Sequence, residues 1–101
     1  MDGSRRCPAI PGRALRDVLR FAGDADVKRL VLFGSRARGT NTQYSDVDLA
    51  VYGGDFDRFY WNVQEKTWSL LSFDLIDMQG EISPELQEEI LRDGVVIYEK
   101  D

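Results

Sequence analysis

The sequence predicts an α/β fold: a leading helix, then strands alternating with helices in one small domain. Three observations carry this reading. Val27–Phe33 contains the unbroken apolar run Leu30-Val31-Leu32-Phe33, the pattern of a strand buried on both faces. Asp46–Tyr52 alternates with period two, Val47, Leu49 and Val51 on one face and Asp46, Asp48 and Ala50 on the other. Ser83-Pro84-Glu85 has the form of a helix start, with an N-capping hydroxyl, a proline in the first turn and an acid near the positive end of the dipole.

Taken in order, Met1–Ile10 contains Gly3, Ser4 and Pro8 and reads as a loose lead-in. From Pro11, the positions Leu15, Val18, Leu19 and Ala22 follow helical spacing, and Gly23 supplies a terminator. The first strand follows and ends at Gly34, after which Ser35 opens a short helical turn. Thr40–Ser45 is polar and reads as a loop before the second strand, which Gly53-Gly54 closes. Asp55 caps a helix expected to reach about Leu71, with Phe56, Phe59, Tyr60, Val63 and Leu70 as its inner face. Phe73–Met78 is a third strand, the Ser83 helix runs to about Arg92 with Gly94 as its terminator, and Val95–Tyr98 is a short final strand. No repeat, linker or low-complexity segment interrupts residues 1–101.

Composition narrows the chemistry. The chain of 101 residues suits a single domain with little room for a separate substrate-binding unit. A formal net charge of −5 argues against nucleic acid as the main partner, although Lys28, Arg29, Arg36 and Arg38 lie close in sequence. The single Cys7 cannot form an internal disulfide, which fits a reducing, cytoplasmic setting. No signal-peptide pattern follows Met1, and no apolar stretch is long enough to span a membrane. The absence of histidine excludes imidazole bases, triads and histidine metal sites. Chemistry in this chain runs on carboxylates, hydroxyls and backbone.

Gly34-Ser35 at the junction of a strand and a helical turn is a candidate phosphate cradle. Glycine permits close approach of backbone to a ligand, and the amides that follow point outward at the turn's start. Ser35 adds a hydroxyl. Gly34 and Gly39 match the G-x-x-x-x-G spacing of a P-loop, but Thr40 stands where that loop needs lysine. No second glycine follows at the offset of the dinucleotide fingerprint. Taken alone, Gly34 is equally well read as a residue that ends a strand.

Asp46 and Asp48 project from one strand face, roughly 7 Å apart along the chain. Crowded carboxylates raise each other's pKa unless neutralised. Mg²⁺ does this with one or two carboxylates plus substrate phosphate oxygens. The competing reading is a solvated strand start. A third carboxylate, Asp74, lies between Phe73 and Leu75 in an otherwise apolar strand, where burial without a partner is costly. Asp77, three positions on, falls on the opposite face and reads as a strand-end residue. Arg36 and Arg38 either meet phosphate oxygens or pair with surface acids. Tyr44 and Tyr52, flanking the aspartate strand, either touch a base or the acceptor or serve ordinary strand packing, and packing is the favoured reading.

Gly34-Ser35-Arg36-Ala37-Arg38-Gly39, then Ser45-Asp46-Val47-Asp48-Leu49, then Phe73-Asp74-Leu75-Ile76-Asp77 resembles the polymerase-β-type nucleotidyltransferases, and more closely their minimal prokaryotic forms. The resemblance covers about residues 11 to 98 and implies a small mixed sheet of about four strands flanked by helices. It implies a triphosphate held by Gly34 and Ser35, with Asp46 and Asp48 as Mg²⁺ ligands. Asp74 would be a metal ligand that also helps activate an acceptor hydroxyl. It further implies a small helical HEPN partner. In toxin–antitoxin pairs of this kind the HEPN protein is a ribonuclease toxin, and the nucleotidyltransferase acts as antitoxin by moving AMP from ATP to one of its tyrosines.

A short chain would borrow its acceptor from another protein, in keeping with that expectation. Trp61 and Trp68, seven apart, share a helix face that is either a partner surface or part of the core. A second functional reading is a nucleotide-binding module that neutralises a partner by complex formation, against which the three-carboxylate set speaks. A third, the metal site of a glycosyl transferase, is disfavoured by length.

Overall fold

The computed structural model describes residues 10–42, 45–67 and 71–100. The expectations for the lead-in before Ile10, and for Tyr44, Trp68 and Leu70, lie outside the described residues.

Among these residues the chain runs α1 (Gly12–Asp24), β1 (Arg29–Phe33), α2 (Ser35–Arg38), β2 (Val47–Tyr52), α3 (Phe56–Lys66), β3 (Phe73–Asp77), α4 (Pro84–Asp93) and β4 (Val95–Glu99). The strands form one sheet in the order β3-β2-β1-β4. β1 pairs antiparallel with both β2 and β4, whereas β2 and β3 are parallel. A parallel pair needs a crossover, and α3 supplies it. The expected four-stranded mixed sheet flanked by helices is therefore the fold.

β1 is central, and its apolar run divides by parity. Leu30 and Leu32 join a core with Val47, Leu49 and Val51 of β2, beneath α1 and α3, which add Ala14, Val18, Phe21, Phe59 and Val63. Val31 and Phe33 face the other way and meet Ala50 and Ile90 of α4. Two apolar layers sandwich the sheet, as expected for a strand with no polar face.

Caps fix the helix starts. Asp55 accepts from the Arg58 amide at 3.1 Å and Ser83 from the Leu86 amide at 3.2 Å, as the sequence predicts. Gly54 pins one turn to another: its φ is +77°, and a Cβ there would lie 2.6–2.7 Å from the backbone at Ala25, Asp26 and Val27. The neighbouring Asp55 amide donates to the Ala25 carbonyl at 2.8 Å.

Three expectations change. α1 continues through Gly23 to Asp24, because Ala25 and Asp26 make the terminating turn instead. α3 ends at Lys66, where Thr67 turns extended, so it is shorter than the pattern suggested. Tyr60, placed on the inner face, is exposed, and Trp61 is 60% exposed rather than in the core. Phe59 and Val63 alone are fully buried from that helix, a narrow stripe set by packing on α1 and the sheet. No helix of the described residues is long and apolar enough to cross a membrane.

This contrast is measurable. Phe59→Ala is expected to cost about 3–5 kcal/mol in denaturant unfolding, as a fully buried aromatic. Trp61→Ala, two residues away on the same helix, is expected to stay within about 0.5 kcal/mol of wild type.

Candidate active site

The site forms where β1 ends and β2 begins. Asp48 sits in register with Phe33 of β1 on one side and with Asp74 of β3 on the other. Adjacent strands lie about 4.8 Å apart, so the Asp48 and Asp74 backbones are immediate neighbours. Both residues belong to the sheet face that α4 covers, because Val47 and Leu49 around Asp48, and Phe73 and Leu75 around Asp74, belong to the opposite core. Asp46 precedes β2, is exposed, and shares parity with Asp48. Asp77 is paired with Val51, and its Oδ1 accepts from the Gln79 amide at 3.0 Å, the strand-end role the sequence predicts.

Burial was the argument for Asp74, and the structure corrects it. β3 is an edge strand and Asp74 is exposed, so no desolvation penalty singles it out. Its position opposite Asp48 is what ties it to the site.

Gly34 follows Phe33 directly and has φ +78°, a conformation that L side chains rarely adopt. A Cβ at Gly34 would also overlap the Asp48 carboxylate. The phosphate-cradle candidate and Asp48 are thus in contact through bare backbone. The Gly34 carbonyl accepts from the Ala37 and Arg38 amides at 3.1 Å each, closing the turn beyond it. The first amides of such a turn lack partners within it. Ser35, the first residue of α2, is half-buried.

The two arginines diverge. Arg36 is 6% exposed, and its guanidinium donates to the Ser45 carbonyl from Nε at 3.0 Å and from Nη2 at 2.8 Å. A longer bond from Nη2 reaches the Thr42 carbonyl at 3.4 Å. The Thr42 amide in turn donates to Ser45 Oγ at 3.0 Å. These donors hold the end of the loop that delivers Asp46. Arg38 is exposed and reaches α4, with Nη1 3.4 Å from Asp93 Oδ2 and 3.7 Å from Glu89 Oε2. Pairing with surface acids, one of the two readings for these arginines, is what Arg38 does here.

Electrostatics single out Asp48. Desolvation first, then the negative charges of Asp74, Asp46 and Glu89, push its pKa up to about 6, and Arg38 opposes this. Glu89 and Asp93 were not foreseen, because acids on an amphipathic helix read as a solvated face; only the packing of α4 brings them to the site. Tyr52 lies beneath the Arg29 guanidinium, 4.6 Å from its centroid, a packing role.

The donors are carboxylate oxygens, the preference of a hard divalent cation. Among the described residues no three acidic or thiol side chains converge closely enough to hold a metal ion by themselves. A cation on Asp48 with Asp46 or Asp74 would be completed by substrate oxygens. One or two carboxylates with phosphate is a coordination that suits such ions.

The raised Asp48 pKa has a testable sign. Its contribution is present below the unfolded value near 4 and is lost as pH rises through about 6. Asp48→Asn in metal-free buffer is therefore expected to be more stable than wild type at pH 7.5, by on the order of 1 kcal/mol after allowance for solvent screening. Thermal melts between pH 4 and 8 are expected to show the gap closing below pH 6.

Comparison with known proteins places this geometry. The family described as Polymerase beta, Nucleotidyltransferase matches residues 18–101. No curated protein sequence matches. The fold is similar to that in a crystal structure of a toxin–antitoxin with AMP-PNP, with TM-score 0.67 at 24% identity over 85% of this chain and 73% of that one. It is also similar to the toxin–antitoxin MntA–HpeT carrying two aspartate-to-glutamate substitutions, with TM-score 0.66 at 22% identity over 85% and 73% of the two chains. A tyrosine-to-alanine variant of MntA–HpeT gives TM-score 0.65 at 23% identity over 84% and 72%. Those likenesses are of fold; the match over residues 18–101 carries the family. The chain is a member of the polymerase-β-type nucleotidyltransferases.

Proposed function

We propose that this nucleotidyltransferase moves AMP from ATP, with Mg²⁺, to a tyrosine hydroxyl of a HEPN-type toxin, and so acts in the cytoplasm as an antitoxin. The observation that carries the catalytic part is the contact of Gly34 backbone with the Asp48 carboxylate, with Asp74 in register beside it. Phosphate cradle and carboxylates at one point meet the need of phosphoryl-type transfer, which is catalysed mainly by positioning and charge neutralisation. Two similarities in fold support the donor and the setting. One solved toxin–antitoxin holds AMP-PNP, and another is altered at two aspartates two positions apart, the spacing of Asp46 and Asp48.

In this reading Gly34 admits the triphosphate to the backbone, and Ser35 donates its hydroxyl to a phosphate oxygen. Asp46, Asp48 and Asp74, completed by phosphate oxygens of the nucleotide, would hold Mg²⁺, which supplies charge neutralisation on the phosphates when bound. Arg36 acts through the loop it holds, keeping Asp46 in place. Arg38 provides the guanidinium for phosphate oxygens. Exposed Asp74 accepts the proton of the acceptor hydroxyl. The acceptor oxygen bonds to the α-phosphorus as the bond to pyrophosphate breaks.

A second reading has support from α3. Trp61 stands 60% exposed with Tyr60 edge-on against it at 5.8 Å, a surface suited to complex formation without chemistry. One experiment separates the two. Labelled ATP, Mg²⁺ and the product of the adjacent gene are expected to give label on that protein, with transfer reduced about 100-fold or more by Asp46→Asn. Absence of label with wild type, or equal transfer by the variant, overturns the enzymatic reading. Full neutralisation of the partner by Asp46→Asn/Asp48→Asn establishes the binding module instead.

A further inference from the structure

Arg38 faces Glu89 and Asp93 of α4, and Asp48 feels the charges of Asp74, Asp46 and Glu89 as well as that of Arg38. A nucleotide triphosphate adds more negative charge to the same place. Arg38 lies at the end of α2, one turn from Gly34 and Ser35, yet its guanidinium is directed to Glu89 and Asp93 on α4 at 3.7 and 3.4 Å. Planar guanidinium groups bind carboxylate and phosphate through the same fork of donors, so the two compete for it.

The contacts on α4 are built to be released. Both are long, and the Arg38 and Glu89 side chains are 42% and 36% exposed, which makes that pair weak, while the Asp93 side chain is 14% exposed. Asp93 has a second partner, Arg92 Nη2 at 3.1 Å, so departure of Arg38 does not orphan it. Glu89 would face water. The backbone of Arg38 is meanwhile fixed, because its amide donates to the Gly34 carbonyl at 3.1 Å. Only the side chain needs to move.

We propose that Arg38 is an exchange arm, parked on Glu89 and Asp93 in the free protein and transferred to the phosphates of an incoming nucleotide. Glu89 and Asp93 are then positioning residues that set nucleotide affinity by competing for it. This rests on the nucleotide-binding reading above.

A mutant cycle on ATP binding tests it, measured by calorimetry with Ca²⁺ in place of Mg²⁺ and with adenosine as the ligand lacking phosphate. Glu89→Gln/Asp93→Asn is expected to tighten ATP binding about three- to tenfold, and Arg38→Ala to weaken it by about tenfold, with Arg38→Lys restoring part. In the Arg38→Ala background, removal of the two acids is expected to change ATP affinity by less than about twofold, and adenosine affinity is expected to stay constant throughout. Equal tightening with and without Arg38 overturns the arm, since the acids would then act by direct repulsion. Unchanged or weakened binding in the acid variant overturns it too. Glu89→Gln alone, expected to give part of the gain, keeps the test valid if the double variant does not fold. Wild-type protein that binds no ATP refutes the nucleotide reading itself, an outcome distinct from either of these.

Discussion

Close contact between one carboxylate and bare backbone governs the arrangement of this protein. Asp48 occupies the space that a side chain at position 34 would need, and it does so because strand register sets it opposite Phe33. The end of β1, the turn at α2 and the beginning of β2 are therefore mutually constrained. Shifting β2 by one residue would turn Asp48 into the core beneath α1 and α3 and carry Val47 and Leu49 out of it. The apolar pattern on one sheet face thus holds the carboxylates on the other, and folding energy and site geometry share a single register.

Around that register, the supporting parts come from distant segments. Arg36 secures the loop before Asp46 from within the domain, buried against carbonyl oxygens. Arg38, two residues later, points outward to α4. Neighbouring positions of one short helical turn thereby serve opposite ends, one rigid and internal, the other solvent-facing. The covering of the second sheet face by α4 brings Glu89 and Asp93 to Arg38, and Glu89 adds to the negative potential that raises the Asp48 pKa.

Much of this was legible in the sequence, for identifiable reasons. The doubly buried β1 showed in an unbroken apolar run, the β2 faces in strict alternation, and the caps at Asp55 and Ser83 in local chemistry that operates over three residues. The closeness of Gly34 to Asp48 was legible as a glycine at a strand end and an alternating aspartate pair at the head of the next strand. What escaped was set by tertiary packing. The exposure of Tyr60 and Trp61 depends on how narrow a stripe of α3 meets α1. The edge position of β3, which exposes Asp74, depends on strand order, and strand order leaves no local trace. The choice of Arg36 for burial and Arg38 for α4 follows from side-chain direction in a four-residue turn.

Placement of Asp74 on an outer strand separates one acid of the candidate site from the folding core. Asp48 lies within β2 and Gly34 follows β1 directly against it, so altering either disturbs the architecture they belong to. Asp74 faces solvent and contributes no core contact, which leaves it free to change without structural consequence. A chain lacking that one carboxylate would keep the register of β2 on β1 and the contact of Asp48 with Gly34. The outermost acid of the site is therefore the one that substitution can reach most freely, while the two apolar layers of the sheet set the places of the others.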